Sequence, residues 1–322
     1  MPVFNGQKDL AETLESVLQQ TYDDWEMIAI DDGSSDRTPE ILAAYGDRDR
    51  RVRVVRQDNS GITQALNAGI PHVQGEYVAR LDCGDLCAPE RFERQVAYLD
   101  ENTEVIAVGS YAGRFVSRGL PVDVYTPPIE HEDIDRRHIQ GYSGGIAHVT
   151  AMIRTRVLRE GGGYNDDFKY AQDTDLWLRL AEVGQLANIP EVLQHYRVAP
   201  QSISSAKRAE QIAFSQEAVR RARARRGLPP LAEMPSRWIP GSATDLLTAW
   251  ARNALLARNY GTASHCAWKV LTQKPDWLMF RILLRSLLLQ AIRRSRMRML
   301  FPAERAKAGD AAGFGQSGEN MP

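Results

Sequence analysis

Cysteine is scarce. The chain has three, Cys83, Cys87 and Cys266, an odd number without metal-ligand spacing. That favours free thiols in a reducing, cytoplasmic compartment over a disulfide framework. Long apolar runs are missing too, and nothing approaches the ~18 residues of a membrane span. The opening Met1-Pro2-Val3-Phe4-Asn5-Gly6 offers neither a basic leader nor an apolar core, so a secretory signal is not expected. No Gly-x-Gly-x-x-Gly turn follows the first strand-like run, which removes the phosphate-binding turn that a nicotinamide or flavin enzyme needs. Trp250, Trp268 and Trp277 fall at helix-core spacing and form no row of stacking platforms, so nucleic acid is not an expected partner.

What is present is ordinary for a globular chain. The 322 residues are 43% hydrophobic and 25% charged, enough for one large or two medium domains. The net charge of -1 hides an asymmetry: residues 1–206 hold 20 Lys+Arg against 33 Asp+Glu, and residues 207–307 hold 20 against 6. A boundary near Ser204-Ser205 is expected to divide an acidic domain, 1–205, from a basic helical region, 206–302. The Gly- and Ala-rich stretch 303–322 reads as a disordered tail.

In the first domain, strand-like runs alternate with helical patterns. Val3-Phe4 is a scrap of strand, and Leu10, Leu14, Val17 and Leu18 carry the 3.6 period of a helix. Residues 25–30 and 52–55 read as strands, 62–70 as a helix, and Glu76 to Leu81 as a strand ending at Asp82. Pro89 opens a helix over 89–99. Residues 110–145 resist assignment, 148–153 alternates like a strand, and 173–183 is helical. Such alternation predicts a mainly parallel sheet covered by helices, with the strands' carboxyl ends on one rim. Asn5, Asp31, Asp32 and Asp82 follow strand ends and should converge there. Beyond residue 205, 245–257 and 262–271 read as a helical hairpin.

Two acidic clusters occupy that rim. Asp31-Asp32-Gly33-Ser34-Ser35-Asp36 serves either as a tight turn with a helix cap or as a set of acceptors for a nucleotide base or ribose. Asp82 and Asp85 flank Cys83-Gly84. Carboxylates repel a nucleotide diphosphate, so this pair implies a bridging Mg²⁺ or Mn²⁺ unless it is only a solvated loop. Cys83 and Cys87 have no histidine partner nearby and read as packing.

Several motifs then act as an ordered set. They are Pro2-Val3-Phe4-Asn5-Gly6; Asp31 to Asp36; Asn59-Ser60-Gly61-Ile62 with Ala65-Leu66-Asn67-Ala68-Gly69-Ile70; Gly75 to Asp82 with Pro89-Glu90-Arg91; Gly162-Gly163-Tyr164; Gln172 to Arg179; and His195-Tyr196-Arg197. In that order they resemble glycosyltransferase family 2, inverting enzymes of the GT-A fold, over about residues 1–205. The resemblance implies a nucleotide-sugar donor held by Pro2, Val3, Asn5, Asp31 or Asp32, Asn67, Arg80, Asp82 and Arg197. It implies a glycan or lipid-linked acceptor near His148 and Gln172. Asp173 becomes the general base on the acceptor hydroxyl, and Asp175 a first-turn charge. Arg197 reaches the leaving diphosphate or forms a surface ion pair.

The chain departs from the family pattern at three points. The usual Asp-x-Asp-Asp is Asp82-Cys83-Gly84-Asp85, the usual Arg-x-His is Arg197-Val198-Ala199, and the first strand starts late, so it is expected to be short. Either Asp82 and Asp85 hold the cation with more water, or Arg80, Arg197 and helix N-termini neutralise the diphosphate without it. Gly84 and Ala199 also motivate a rival reading, a catalytically silent nucleotide-sugar-binding or scaffold protein. Finally, residues 277–301 mix leucines with arginines. This stretch is either a helix lying on an anionic membrane or one buried against the hairpin.

Overall fold

The structure is a computed structural model that describes residues 1–117, 119–199, 207–235 and 242–300. Two sheets carry the first part of the chain. Strands β1 (Pro2–Val3), β2 (Met27–Asp32) and β3 (Val52–Gln57) are parallel in the order β1-β2-β3, with Val3 opposite Asp31. β2 is buried at every position, as expected of a central strand covered on both faces. Helix α1 (Leu10–Leu18) joins β1 to β2 and buries Leu10, Leu14 and Val17. Helix α2 (Thr38–Arg48) joins β2 to β3, and α3 (Ile62–Gly69) follows β3. Asp36 supplies the start of α2, its Oδ1 accepting from the Thr38 amide at 2.9 Å and from the Thr38 hydroxyl.

The second sheet contains β4 (Tyr77–Ala79), β5 (Leu86–Cys87), β6 (Val105–Ser117), β7 (Leu120–Tyr125), β8 (Met152–Arg154) and β9 (Gln185–Arg197). Its order is β4-β8-β6-β9-β5, with β7 on β6. β6 and β9 run parallel, and the remaining pairs are antiparallel. Parallel pairing therefore dominates around β2, and the second sheet is mixed. α4 (Arg91–Glu101) lies between β5 and β6.

The stretch that resisted assignment becomes the β6–β7 hairpin followed by α5 (His131–Ile139). The run 148–153 is a strand only from Met152. Before it, His148–Thr150 is a 3₁₀ turn, closed by the Thr150 amide and hydroxyl donating to the Ala147 carbonyl. Residues 185–197 form one strand with a register shift between Ile189 and Val192, where Pro190 has no N–H for the ladder. Helices α6 (Thr155–Glu160) and α7 (Gln172–Leu180) separate β8 from β9.

The C-terminal region is helical: α8 (Arg208–Arg225), α9 (Ala243–Leu256), α10 (Tyr260–Leu271) and α11 (Trp277–Leu300). α8 buries Ala218, Val219 and Ala222 against Ile139, Phe168 and Leu178. α9, α10 and α11 share a core with Val122 of β7 and with Val198. The expected boundary at 205 and the tail 303–322 lie outside the described residues. Among those that are described, no helix is long and apolar enough to cross a membrane.

Candidate active site

The rim is built by stitching the loop after β1 to the loop after β2. Asn5 has φ 50°. Its amide donates to Ser34 Oγ at 2.9 Å, and its Oδ1 accepts from the Ser35 amide at 2.9 Å. The Gly6 amide donates to Thr38 Oγ1 at 2.8 Å. A Cβ at Gly6 would sit 2.6 Å from Cys83 Sγ, so the close approach of this loop to residue 83 requires glycine. These bonds fix Pro2, Val3, Asn5 and Asp31 at one edge.

The paired aspartates differ. Both oxygens of Asp32 are engaged: Oδ1 accepts from Gln57 Nε2 and the Ser60 amide, and Oδ2 from the Gly61 amide. Asp32 thus anchors the entry to α3. Asp31 uses only Oδ1, on the Ser34 amide at 3.0 Å; its buried Oδ2 has no hydrogen bond and lies 3.6 Å from Arg56 Nε. Asp31 is therefore the aspartate that keeps one oxygen outside the hydrogen-bond network.

A second cluster forms around Arg80 at the end of β4. Arg80 is 3% exposed. It donates to the Leu81 carbonyl, to Asp82 Oδ1 and, at 3.3 Å, to His148 Nε2. His148 Nε2 also meets the Tyr164 hydroxyl at 2.8 Å. Because Arg80 can only donate, His148 Nε2 is an acceptor, the tyrosine donates to it, and the ring proton sits on Nδ1. Burial and the Arg80 charge hold the His148 pKa well below its ordinary value, so the ring is neutral. Burial pushes the Tyr164 hydroxyl up to about 12. These two residues are supports for Arg80, and the tyrosine was visible in the sequence only as the end of Gly162-Gly163-Tyr164.

Asp173 stands in the first turn of α7, just after Ala171, whose φ of 58° is left-handed. Its Oδ1 accepts from the Thr174 amide at 2.8 Å. Burial raises its pKa, with the Asp82 charge adding to the rise and the amide bond and Arg80 opposing it. Gln172 beside it is buried. Asp175 points away and pairs with Arg179 at 2.8 Å, and Arg179 holds the Gly161 and Gly163 carbonyls. Asn67 is fully engaged on the same turn, donating to the Tyr164 carbonyl and Asp166 and accepting from the Tyr164 amide.

Arg197 does not face an open site. Its Nε donates to the Gly84 carbonyl at 2.9 Å, its terminal nitrogens meet Glu12 at 2.8 Å and Asp9 at 3.7 Å, and its guanidinium lies 4.7 Å from the Phe115 ring centroid. Asp85 accepts from the Arg197 amide at 2.9 Å, and its other oxygen is buried without a hydrogen bond. Burial, then the Asp82 charge, raises its pKa well above the usual carboxylate range. Arg91, within Pro89-Glu90-Arg91, is fully buried and donates to the Arg80 carbonyl, Gln95 and Gln194, a support that composition and periodicity do not reveal.

A cage of protein ligands for a cation does not fit. No group of three His, Cys, Asp or Glu side chains that could hold a metal occurs among the described residues. Asp85 is turned into the protein. Gly84 has φ 104°, a conformation that disfavours the second carboxylate of the usual motif. Asp82 alone could touch a Mg²⁺ or Mn²⁺ carried by substrate phosphates, a mode in which such ions are often held.

Comparison with known proteins agrees with this geometry. The profile of Glycosyl transferase family 2 matches residues 1–162. An uncharacterized glycosyltransferase of Haemophilus influenzae is 32% identical over 218 residues, 65% of this chain and 67% of that protein. The amylovoran biosynthesis glycosyltransferase AmsE of Erwinia amylovora is 29% identical over 206 residues, 63% of this chain and 76% of that protein. The mannosyltransferase PcManGT from Pyrobaculum calidifontis, solved in complex with GDP-Man and Mn²⁺, superposes with a TM-score of 0.52 at 17% identity, covering 94% of this chain and 86% of that one. At that identity the likeness is one of fold, the GT-A architecture. The alternating first sheet, the carboxylates on its rim and the matched profile lead to one assignment: this chain is a glycosyltransferase of the GT-A fold and belongs to glycosyl transferase family 2.

Proposed function

We propose that the protein moves a sugar from a nucleoside-diphosphate sugar to a hydroxyl of a glycan or lipid-linked acceptor, with inversion, and that Asp173 is the general base. The observation that carries this reading is the environment of Asp173. Its carboxyl is raised by burial and lies in the electrostatic reach of Arg80 and Asp82, and its amide bond to Thr174 fixes one oxygen. A base whose pKa is moved towards the working pH transfers protons more effectively. In the reaction the acceptor oxygen forms its bond to the anomeric carbon as the bond to the diphosphate breaks. The hydroxyl proton passes to Asp173, and the electron pair leaves with the diphosphate.

We assign Asp31, with Pro2, Val3 and Asn5, to the nucleoside, and the Arg80–Asp82 pair to the diphosphate side. Asn67, Asp32 and Arg197 hold loops in place, because their polar atoms are engaged within the protein. His148 acts on the acceptor side only through Arg80 and Tyr164, and Gln172 borders the base. The cytoplasm is the compartment we assign, in keeping with three free cysteines. The name of AmsE supports a place in building a polysaccharide.

A thermal-shift screen of nucleotide-sugars identifies the donor, since a ligand of the folded state stabilises it. With that donor, Asp173→Asn is expected to lower transfer by ~10²–10⁴ while calorimetry still detects nucleoside diphosphate binding. Transfer at the parental rate would remove Asp173 from the role of base. Binding without turnover on any donor in the parent chain would favour the silent nucleotide-sugar-binding reading.

A further inference from the structure

Helix α11 is apolar on two opposite faces. With about 100° between successive residues, Met279, Ile282 and Ser286 fall on one side, and all three are buried against the α9–α10 hairpin. Gln290 fastens the same side, donating to the Tyr260 carbonyl at 3.0 Å and to Ser264 Oγ at 3.1 Å. Trp277, Phe280, Leu284, Leu287 and Leu288 fall on the opposite side and are exposed, Trp277 by 72% and Leu288 by 62%. The Trp277 and Phe280 rings stack with centroids 5.6 Å apart. Burial against the hairpin, one of the two expectations for this stretch, therefore holds for one face, and the other face is left exposed. A helix whose second face is also apolar needs a second apolar phase.

We propose that this second face lies in the headgroup layer of a membrane rich in anionic lipid. The charge pattern selects that occupant. Arg281 and Arg285 border the exposed apolar face, and with Arg293 they are exposed and paired with no carboxylate among the described residues. Residues 277–300 contain six arginines and no Asp or Glu. A second copy packed face to face would bring like charges together without compensation, whereas anionic headgroups supply the missing charge. The helix has 24 residues, roughly 36 Å at 1.5 Å per residue. Fixed by its inner face to the hairpin, it lies along the surface and does not cross it.

Sedimentation of the full chain with vesicles tests this without any turnover, so its failure leaves the sugar-transfer reading untouched. The protein is expected to pellet with vesicles of phosphatidylcholine and phosphatidylglycerol, to pellet poorly with phosphatidylcholine alone, and to be released as salt rises. Arg281→Gln with Arg285→Gln is expected to weaken binding about thirtyfold, from the contribution of each arginine near the surface. Leu284→Asp with Leu288→Asp should weaken it further with an unchanged circular dichroism spectrum, because both leucines face solvent. No binding to the anionic vesicles at low salt overturns the proposal, as does equal binding to both vesicle types. A dimer in light scattering that the leucine pair converts to monomer, with no vesicle binding, assigns the face to a second copy instead.

Discussion

Gly84 is where a single residue decides most about the rim. Its amide donates to Thr13 Oγ1 at 2.8 Å, its carbonyl accepts from Arg197, and its φ of 104° lies where L-residues rarely go. A Cβ there meets nothing closer than 3.8 Å, so the cost of a side chain is conformational and not steric crowding. Gly84→Ala is expected to destabilise the protein by about 1–3 kcal/mol, read as a lower urea midpoint with an unchanged slope. An unchanged midpoint would mean that the loop relaxes to another conformation. The sequence made Gly84 conspicuous as a missing carboxylate, yet backbone angle is not readable from residue type alone. The same limit separates Asp31 from Asp32, which are adjacent in sequence and differ only in which amides reach them. Arg197 is a third case: a rim cation by pattern, it is held by Glu12 and Asp9, whose positions on and beside α1 depend on the fold.

At the scale of elements, the segment from Gly161 to the start of α7 sets the height of Asp173. It is clamped twice, by Asn67 at Tyr164 and by Arg179 at Gly161 and Gly163. Asn67→Ala removes three hydrogen bonds from this turn and leaves the Tyr164 amide and carbonyl to find water. A cost of about 1–3 kcal/mol follows. Because this turn leads into α7 and so sets the position of Asp173, transfer should fall more than nucleoside diphosphate affinity. Equal loss of both would show that the clamp serves the donor pocket. Elements with strong period were legible in the sequence, as α1, β2, α9 and α10 illustrate, each within a few residues. The β6–β7 hairpin was not, because its strands pass from the buried sheet to a half-exposed edge and lose their alternation. The turn at His148 was missed for a related reason: Val149 and Thr150 favour strands locally, and a side-chain bond to Ala147 overrides them.

For the whole molecule, the charge asymmetry also joins the basic part of the chain to the acidic part. Arg226 pairs with Asp135, Arg225 with Glu182 and Arg221 with Asp167, so the basic helix α8 closes on the acidic part of the chain. Exposed pairs of this kind contribute little alone, but apolar contacts accompany them. Phe168 and Leu178 pack with α8, and Val122 and Val198 with α9–α11. The sequence places a domain boundary between these groups, and the contacts across it lead us to expect that the two parts unfold together. Scanning calorimetry should then give one transition with equal calorimetric and van't Hoff enthalpies. A chain ending at residue 205 should unfold at a lower temperature than the full chain and bind apolar dyes, since Val122, Phe168 and Leu178 lose their cover. Two resolved transitions, with the shorter chain reproducing one of them, would restore the boundary as a true division between independently folding units.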